Sequence, residues 1–362
     1  MSKYDYQKET FRLWSGVDFR GVLWGVPSCG KTRAGAICIA KYVKMNPLAR
    51  VWVIAPSKVI LSQWEKEVYA DCDIEYLTYS SATTKFSKHW REKKDILNPD
   101  LLVLDECHSV MAPTWGKVLD FGVKHILGLS GTPNGSEKKI GPIFQKVSWD
   151  EANIAPSKVF LGTYTPSDTE QKRYAKMSES ITKYRTKHPR ASYYTDSNYA
   201  FLINKRRRET HMFESRLPIA LELVKANKTE KIMVFCMMIE QAKQMSALLE
   251  KEGIDHRIHV TGKEEMDDFI EGKTNILISC KKLSQGFNYP PANVGIIVST
   301  ATSPLTATQT LARIIRPLEG KEAKIYFILA KGTSDLALKD KNIFTKEDTI
   351  EMDYDVAFSD NI

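Results

Sequence analysis

This sequence predicts an α/β chain built as two domains in succession, each a parallel sheet flanked by helices. Three observations predict it. Short apolar runs alternate with amphipathic stretches, the alternation occurs twice, and a segment of different composition around residues 165–215 separates the two occurrences.

In the first half, Gly21–Trp24, Val51–Ile54, Leu101–Leu104 and Ile126–Leu129 are continuous apolar runs. Such runs suit strands covered on both faces, as parallel strands are. Thr32–Lys44 and Val59–Ala70 lie between them with helical spacing. In the second half, Ile232–Phe235, Ile276–Ile278, Gly295–Val298 and Lys324–Ile328 read as strands, separated by helical stretches at Glu240–Lys251 and Thr306–Ile315. The expected division is a first domain over residues 1–160, a basic helical linker over 161–215, a second domain over 216–340 and an acidic tail over 341–362. The tail has few core-like apolar residues, so it is disordered, shields a basic groove or docks a partner.

Bulk properties narrow the function classes. The chain has 362 residues, 43% hydrophobic and 27% charged, as in a soluble globular protein. No apolar run approaches the roughly 18 residues that span a bilayer, and the opening ten residues are polar, so no membrane partner and a cytoplasmic location are expected. The six cysteines are scattered without a C-x-x-C pair, which argues against a zinc site or disulfide framework. Net charge is +8, which tolerates a polyanionic partner, and basic residues concentrate between Gln171 and Arg208.

Gly25-Val26-Pro27-Ser28-Cys29-Gly30-Lys31-Thr32 fits G-x-x-x-x-G-K-[ST] between a predicted strand and a predicted helix. The backbone through Gly25, Pro27, Ser28, Cys29 and Gly30 would fold into a nest whose N–H groups point at phosphates, with the helix N-terminus adding positive potential. Lys31 would pair with the β- and γ-phosphates of ATP, and Thr32 would ligate Mg²⁺. Cys29 makes this loop thiol-sensitive or is an ordinary buried thiol.

Further on, Leu101-Leu102-Val103-Leu104-Asp105-Glu106-Cys107-His108 puts two carboxylates at the end of an apolar strand. Strand C-terminal ends face the ligand crevice in doubly wound sheets. Asp105 would then hold Mg²⁺ through water, and Glu106 would orient and deprotonate the attacking water. His108 either couples this site to Ser130-Gly131-Thr132-Pro133, through Ser130 and Thr132, or caps the following helix.

In Thr308–Arg316, Gln309, Arg313 and Arg316 share one narrow helical face, while Leu311, Ile314 and Ile315 point elsewhere. Paired arginines on a helix are commonly solvated. Here the upstream triphosphate site lacks any other arginine for the transition state, which favours the catalytic role.

Taken together, these residues resemble the superfamily 2 helicases and translocases, closest in look to the branch of XPB-like, phage UvsW-like and Swi/Snf-type motors. The resemblance runs from Tyr6 to about Leu338. It implies two tandem RecA-like domains that close on one ATP, and a nucleic-acid-stimulated ATPase. Gln7 resembles the glutamine whose amide reads adenine. Ala55-Pro56-Ser57-Lys58 with Leu61 and Gln63-Trp64, and Thr78-Tyr79-Ser80, resemble motifs that hold the nucleic-acid backbone, so Ser57, Lys58 and Thr78 become candidate contacts. Asp105–His108 is a DECH form of the acidic box. Gly286 and Asn288, in Ser284–Asn288, resemble a motif touching both ATP and nucleic acid. Gln309–Arg316 resembles the Q-x-x-G-R-x-x-R helix, with Ala312 in place of glycine. Asn288, where many helicases carry aspartate, favours the translocase branch over DEAD-box enzymes. No strand-separating insertion is visible, which puts ATP-driven movement ahead of duplex unwinding.

The basic linker interleaves tyrosines with cations, ending in Lys205-Arg206-Arg207-Arg208. Arg206, Arg207 and Arg208 track phosphates while rings stack on bases, or the linker is a solvated helix whose tyrosines pack on a domain. The expectation is a monomer moving on single-stranded or branched DNA, nucleoid-associated if the source is bacterial or phage. The alternatives are an RNA helicase and a nucleotide-gated DNA clamp with little motor activity.

Overall fold

A computed structural model describes residues 5–26, 29–70, 72–92, 98–132, 134–148, 151, 157–193, 195–280, 292–299, 322–341 and 349–358. The chain divides into two compact units, with the main division between residues 154 and 155.

The first unit runs α1 (Asp5–Ser15), β1 (Arg20–Gly25), α2 (Lys31–Met45), β2 (Arg50–Ala55), α3 (Lys58–Glu67), β3 (Asp73–Thr78), α4 (Tyr79–Glu92), β4 (Leu101–Asp105), α5 (Pro113–Gly116), β5 (His125–Ser130), α6 (Glu137–Ile140) and β6 (Ile143–Val147). Its sheet has the order β3-β2-β4-β5-β1-β6, with every pairing parallel. Side chains alternate between the faces of a strand, and the two cores follow that alternation. Val51, Val53, Leu101 and Val103 pack with Trp14 of α1, Ile39 of α2 and Trp64 of α3. Trp52, Ile54, Leu102 and Leu104 pack with Tyr79 of α4, Val110 and Ile140 of α6. All five residues of β4 are buried, which explains why its sequence is an unbroken apolar run. Helices α2 and α3 meet at Gly35, where a Cβ would lie 2.5 Å from Cη2 of Trp64. Only glycine admits that approach.

The second unit contains β7 (Ser157–Tyr164), α7 (Asp168–Lys187), α8 (Ser197–His211), α9 (Arg216–Ala226), β8 (Ile232–Cys236), α10 (Ile239–Lys251), β9 (Arg257–Val260), β10 (Lys263–Glu264), α11 (Met266–Ile270), β11 (Ile276–Cys280), β12 (Val294–Ile297), β13 (Ala323–Ala330), β14 (Thr349–Asp353) and α12 (Tyr354–Ala357). Its sheet has the order β10-β9-β11-β8-β12-β13-β7-β14, parallel except for β9 with β10. A buried arginine joins its layers. Arg216, at the start of α9, is 1% exposed. It donates to the carbonyls of Val298 (3.0 Å) and Ile328 (2.8 Å) and pairs with the buried carboxylate of Asp335.

Two boundaries differ from the sequence reading. The limit at residue 160 falls inside β7, which pairs along its full length with β13 and so belongs to the second sheet. The tail expected from residue 341 includes β14, the edge strand beside β7. Its acidic residues have local partners, Asp353 and Asp355 on Lys331 and Glu351 on Lys339, while Tyr354 is fully buried. The segment read as a linker contains the helices α7 and α8. Glu170 closes a capping box with Ser167 at the start of α7 and also accepts from the hydroxyl of Ser215.

Candidate functional site

Parallel strands point all their C-terminal ends one way, so Gly25, Ala55, Thr78, Asp105 and Ser130 lie along one edge of the first sheet. The order β4-β5-β1 makes the acidic box, the Ser130 loop and the phosphate loop neighbours. Asp105 is level with Leu129, and Ser130 with Trp24.

At the phosphate loop, Gly30 is the N-cap of α2 with φ +95°, a left-handed conformation that favours glycine. A Cβ there would lie 2.6 Å from Nε2 of Gln7. The first turn of α2 carries neither an acidic residue nor a side-chain cap, leaving an open helix N-terminus of the kind that accepts phosphate oxygens. Lys31 Nζ donates to the carbonyls of Gly25 (2.9 Å) and Val26 (3.2 Å), so its amine sits in the loop. Helix α1 braces the loop from outside. Tyr6 donates its hydroxyl to Cys29 O at 2.7 Å, and the buried Gln7 donates Nε2 to Gly30 O at 3.2 Å. Gln145 of β6 fixes α1 in turn, donating to Tyr6 O and accepting from Thr10. The Cys29 thiol is buried.

Asp105 is buried at the tip of β4. Its Oδ2 accepts from Trp64 Nε1 at 2.8 Å, and its Oδ1 from the Glu106 amide at 2.9 Å. Burial and the neighbouring Glu106 carboxylate raise its pKa to about 6, against the opposing pull of Trp64 and Lys31. Glu106 adopts φ 48° and ψ 53°, an uncommon conformation for a side chain of this size, with a cost on the order of 1 kcal/mol. Burial would raise its pKa, yet the His108 hydrogen bond and the Lys31 charge bring it below the ordinary value. The two adjacent acids are thereby driven apart, Glu106 below the ordinary carboxylate value and Asp105 above it.

His108 Nδ1 lies 3.3 Å from Glu106 Oε2 and 3.1 Å from Ser130 Oγ. Ser130 Oγ also accepts from the Thr132 amide at 3.1 Å. Trp24, one residue before the phosphate loop, donates Nε1 to Gly131 O at 2.9 Å. One polar chain thus joins Glu106, His108, Ser130 and Thr132, and an indole ties it back to β1.

These residues fit a magnesium nucleotide. Among the described residues no group of three or more acidic, histidine or cysteine side chains could hold a metal. Magnesium on a nucleotide needs no such cage, because phosphates and waters fill most of its six positions.

Of the candidate nucleic-acid contacts, Ser57 caps α3, accepting from the Ile60 amide. Thr78 Oγ1 accepts from the Ser81 amide at the start of α4. Lys58 is exposed. The arginine triplet on α8 is not equivalent. Arg206 turns inward, donating to Ser178 Oγ at 3.1 Å beside the Tyr174 ring. Its guanidinium packs between α7 and α8, with Nε buried and unpaired. Arg207 lies over Tyr193, and Arg208 pairs with Glu240. Pro27, Ser28, Pro133, Gly286, Asn288, Gln309, Arg313 and Arg316 lie outside the described residues.

Sequence reasoning gave Tyr6, Trp24, Trp64 and Tyr79 no partner, and passed over Gln145. Trp24 and Trp64 interrupt otherwise aliphatic or polar stretches. A buried indole N–H usually finds an acceptor, but only the tertiary structure names it.

Comparison with known proteins agrees with this geometry. Residues 215–317 match the helicase conserved C-terminal domain, and residues 69–135 match the type III restriction enzyme res subunit. The chain is 23% identical to a DNA 3'-5' translocase XPB2 of Sulfurisphaera tokodaii, over 92% of this chain and 83% of the relative. The resemblance to superfamily 2 helicases and translocases thus extends to both halves of the chain. The chain is also 23% identical to a DNA 3'-5' helicase XPB of Mycobacterium tuberculosis, covering 91% of this chain but 61% of that one. Solved structures share the fold. The helicase domain of Pyrococcus furiosus Hef aligns with TM-score 0.55 at 13% identity, over 92% of this chain and 97% of that chain. The DNA-bound type ISP restriction-modification enzyme LlaBIII aligns with TM-score 0.67 at 13% identity, over 96% of this chain and 31% of that one. Both sheets of this chain are of the tandem RecA-like kind.

Proposed function

We infer that this protein is an ATP-dependent DNA translocase or helicase that couples ATP hydrolysis to movement on, or remodelling of, single-stranded or branched DNA. The observation that carries the reading is the Glu106–His108–Ser130 chain beside the uncapped start of α2 at Gly30. A protein that only bound nucleotide would need neither an ionised glutamate nor its link to a neighbouring loop. The names of the XPB relatives favour DNA over RNA.

ATP would sit with its phosphates on the Gly30–Thr32 turn, and magnesium on Thr32 and Asp105. When bound, the ion neutralises phosphate charge and polarises the γ-phosphorus. Lys31 exchanges its loop carbonyls for phosphate oxygens. Glu106 takes the proton of the attacking water, and His108 passes the change in Glu106 to Ser130 and Thr132. Gln7, which lies against Gly30, would read the base by resemblance. Gln309, Arg313, Arg316, Gly286 and Asn288 complete the site by resemblance. Ser57, Lys58, Thr78, Arg207 and Arg208 contact the strand, the arginines from the helical pair α7–α8. Phosphate contacts carry no sequence information, so specificity is low. A monomer in the cytoplasm completes the reading.

The test is steady-state ATPase activity with no nucleic acid, single-stranded DNA, forked DNA and RNA, with Glu106→Gln as control. Stimulation by DNA that the control loses supports the reading. Stimulation by RNA alone moves the substrate to RNA, and no stimulation by either leaves a nucleotide-gated clamp.

A further inference from the structure

The tip of β4 is held from both faces of the first sheet by aromatic donors. Trp64 belongs to the core that includes α1, α2 and α3, and Tyr79 to the opposite core with α4. Trp64 Nε1 donates to the carboxylate of Asp105 at 2.8 Å. Tyr79 donates its hydroxyl to the main-chain oxygen of the same residue at 3.0 Å. Both rings are buried, with exposures of 0% and 1%.

The origin of these two helices gives the contacts their meaning. Helix α3 leaves the tip of β2 at Ser57 and Lys58, and α4 leaves the tip of β3 at Thr78. On the function proposed above, those two starts grip the nucleic-acid backbone. Trp64 lies two turns into α3, about 10 Å along its axis at 1.5 Å per residue. Its ring lies against Gly35 of α2, where there is no room even for a methyl group, so it cannot turn independently of its helix. Tyr79 directly follows Thr78, and its ring stacks on Trp115 with centroids 5.6 Å apart. A small displacement of either helix start therefore reaches Asp105 through a packed, hydrogen-bonded side chain. Packed interiors transmit such shifts because they have little free volume to absorb them.

We propose that Trp64 and Tyr79 are positioning residues that carry strand contact at the starts of α3 and α4 to Asp105, the residue placed to hold the metal. This gives the enzyme a route by which bound nucleic acid sets the ATP site from within the first unit. The inference rests on the proposed nucleic-acid-dependent activity.

Trp64→Phe and Tyr79→Phe, singly and together, remove the two donors and keep the rings. The first readout needs neither ATP nor metal. Amide exchange is followed over residues 101–107 with and without single-stranded DNA, because the Glu106 amide donates to Asp105 Oδ1. In the wild-type chain DNA slows that exchange by about threefold. In the double variant the effect disappears, DNA affinity by fluorescence anisotropy is unchanged, and the ratio of DNA-stimulated to basal ATPase falls about tenfold. A folded double variant with the wild-type exchange response and stimulation ratio overturns the proposal. So does loss of DNA affinity in step with stimulation, which would make the aromatics part of the strand contact itself. If Trp64→Phe does not fold, Tyr79→Phe alone is judged by the same readouts. Absence of nucleic-acid binding in the wild-type chain would overturn both readings, and anisotropy shows it before any variant is compared.

Discussion

His108 Nδ1 stands 3.1 Å from Ser130 Oγ and 3.3 Å from Glu106 Oε2, joining the end of β4 to the loop after β5. One ring nitrogen therefore reaches both groups. His108→Ala should weaken the link more than the chemistry. Strand displacement per ATP hydrolysed is expected to fall by about tenfold, and ATPase turnover by less. Triplex-displacement and coupled ATPase assays on one preparation measure the two rates.

Glu106→Gln preserves size and hydrogen bonding and removes the base. Loss of a positioned general base typically costs about 10²–10⁴ in rate. Turnover should fall into that range while a fluorescent ATP analogue still binds. Retained turnover would assign the base elsewhere.

Gly30→Ala meets two obstacles, the left-handed backbone at φ +95° and Nε2 of Gln7 in the space of the new Cβ. The backbone term alone costs on the order of 1–2 kcal/mol. Lower thermal stability should accompany loss of nucleotide binding. Adding Gln7→Ala relieves the second obstacle and should recover part of the stability without restoring affinity.

The Arg216–Asp335 pair is buried on both sides. Arg216→Met leaves Asp335 as an uncompensated charge, which costs roughly 3–5 kcal/mol. Adding Asp335→Leu removes that charge and should recover most of the loss. Urea titrations of the two variants decide whether charge or packing dominates.

Glu170 gives the acid response a direction. Burial raises its pKa, but the hydrogen bonds from Ser215 and Ser167 bring it below the ordinary value of 4.5. A depressed folded pKa means the unfolded chain binds protons first as pH falls. Its contribution to stability is complete above about pH 4.5 and disappears as pH drops through the folded value. Glu170→Gln should flatten that acid limb in urea midpoints measured between about pH 3 and pH 6, and leave the neutral-pH slope unchanged.

Much of the fold was legible in the sequence. The runs ending at Trp24, Ile54, Leu104 and Leu129 lie in strands because two-sided burial requires unbroken apolar residues. The phosphate loop and acidic box were legible because each occupies a strand tip and the turn that follows. Edge strands were not. β3, with no fully buried residue among its six, and β14, with its acidic outer face, lack that signature. The limit placed at residue 160 failed for a related reason, since β7 declares its sheet only through pairing with β13.

By itself the sequence determined the positions within reach of a single strand and turn: the lysine at the start of α2, the acids at the end of β4, the serine at the end of β5. Local geometry fixes these groups relative to their own backbone, so adjacency along the chain suffices. The tertiary structure alone decided that Trp64 and Tyr79 close on Asp105 from opposite faces, that Gln7 lies against Gly30, and that Arg206 turns inward while Arg207 lies over Tyr193. Each depends on which face of a helix packs and on which strand is its neighbour. Those choices belong to the whole buried interior, where a side chain's partner is set by space and unsatisfied polarity rather than by distance in sequence.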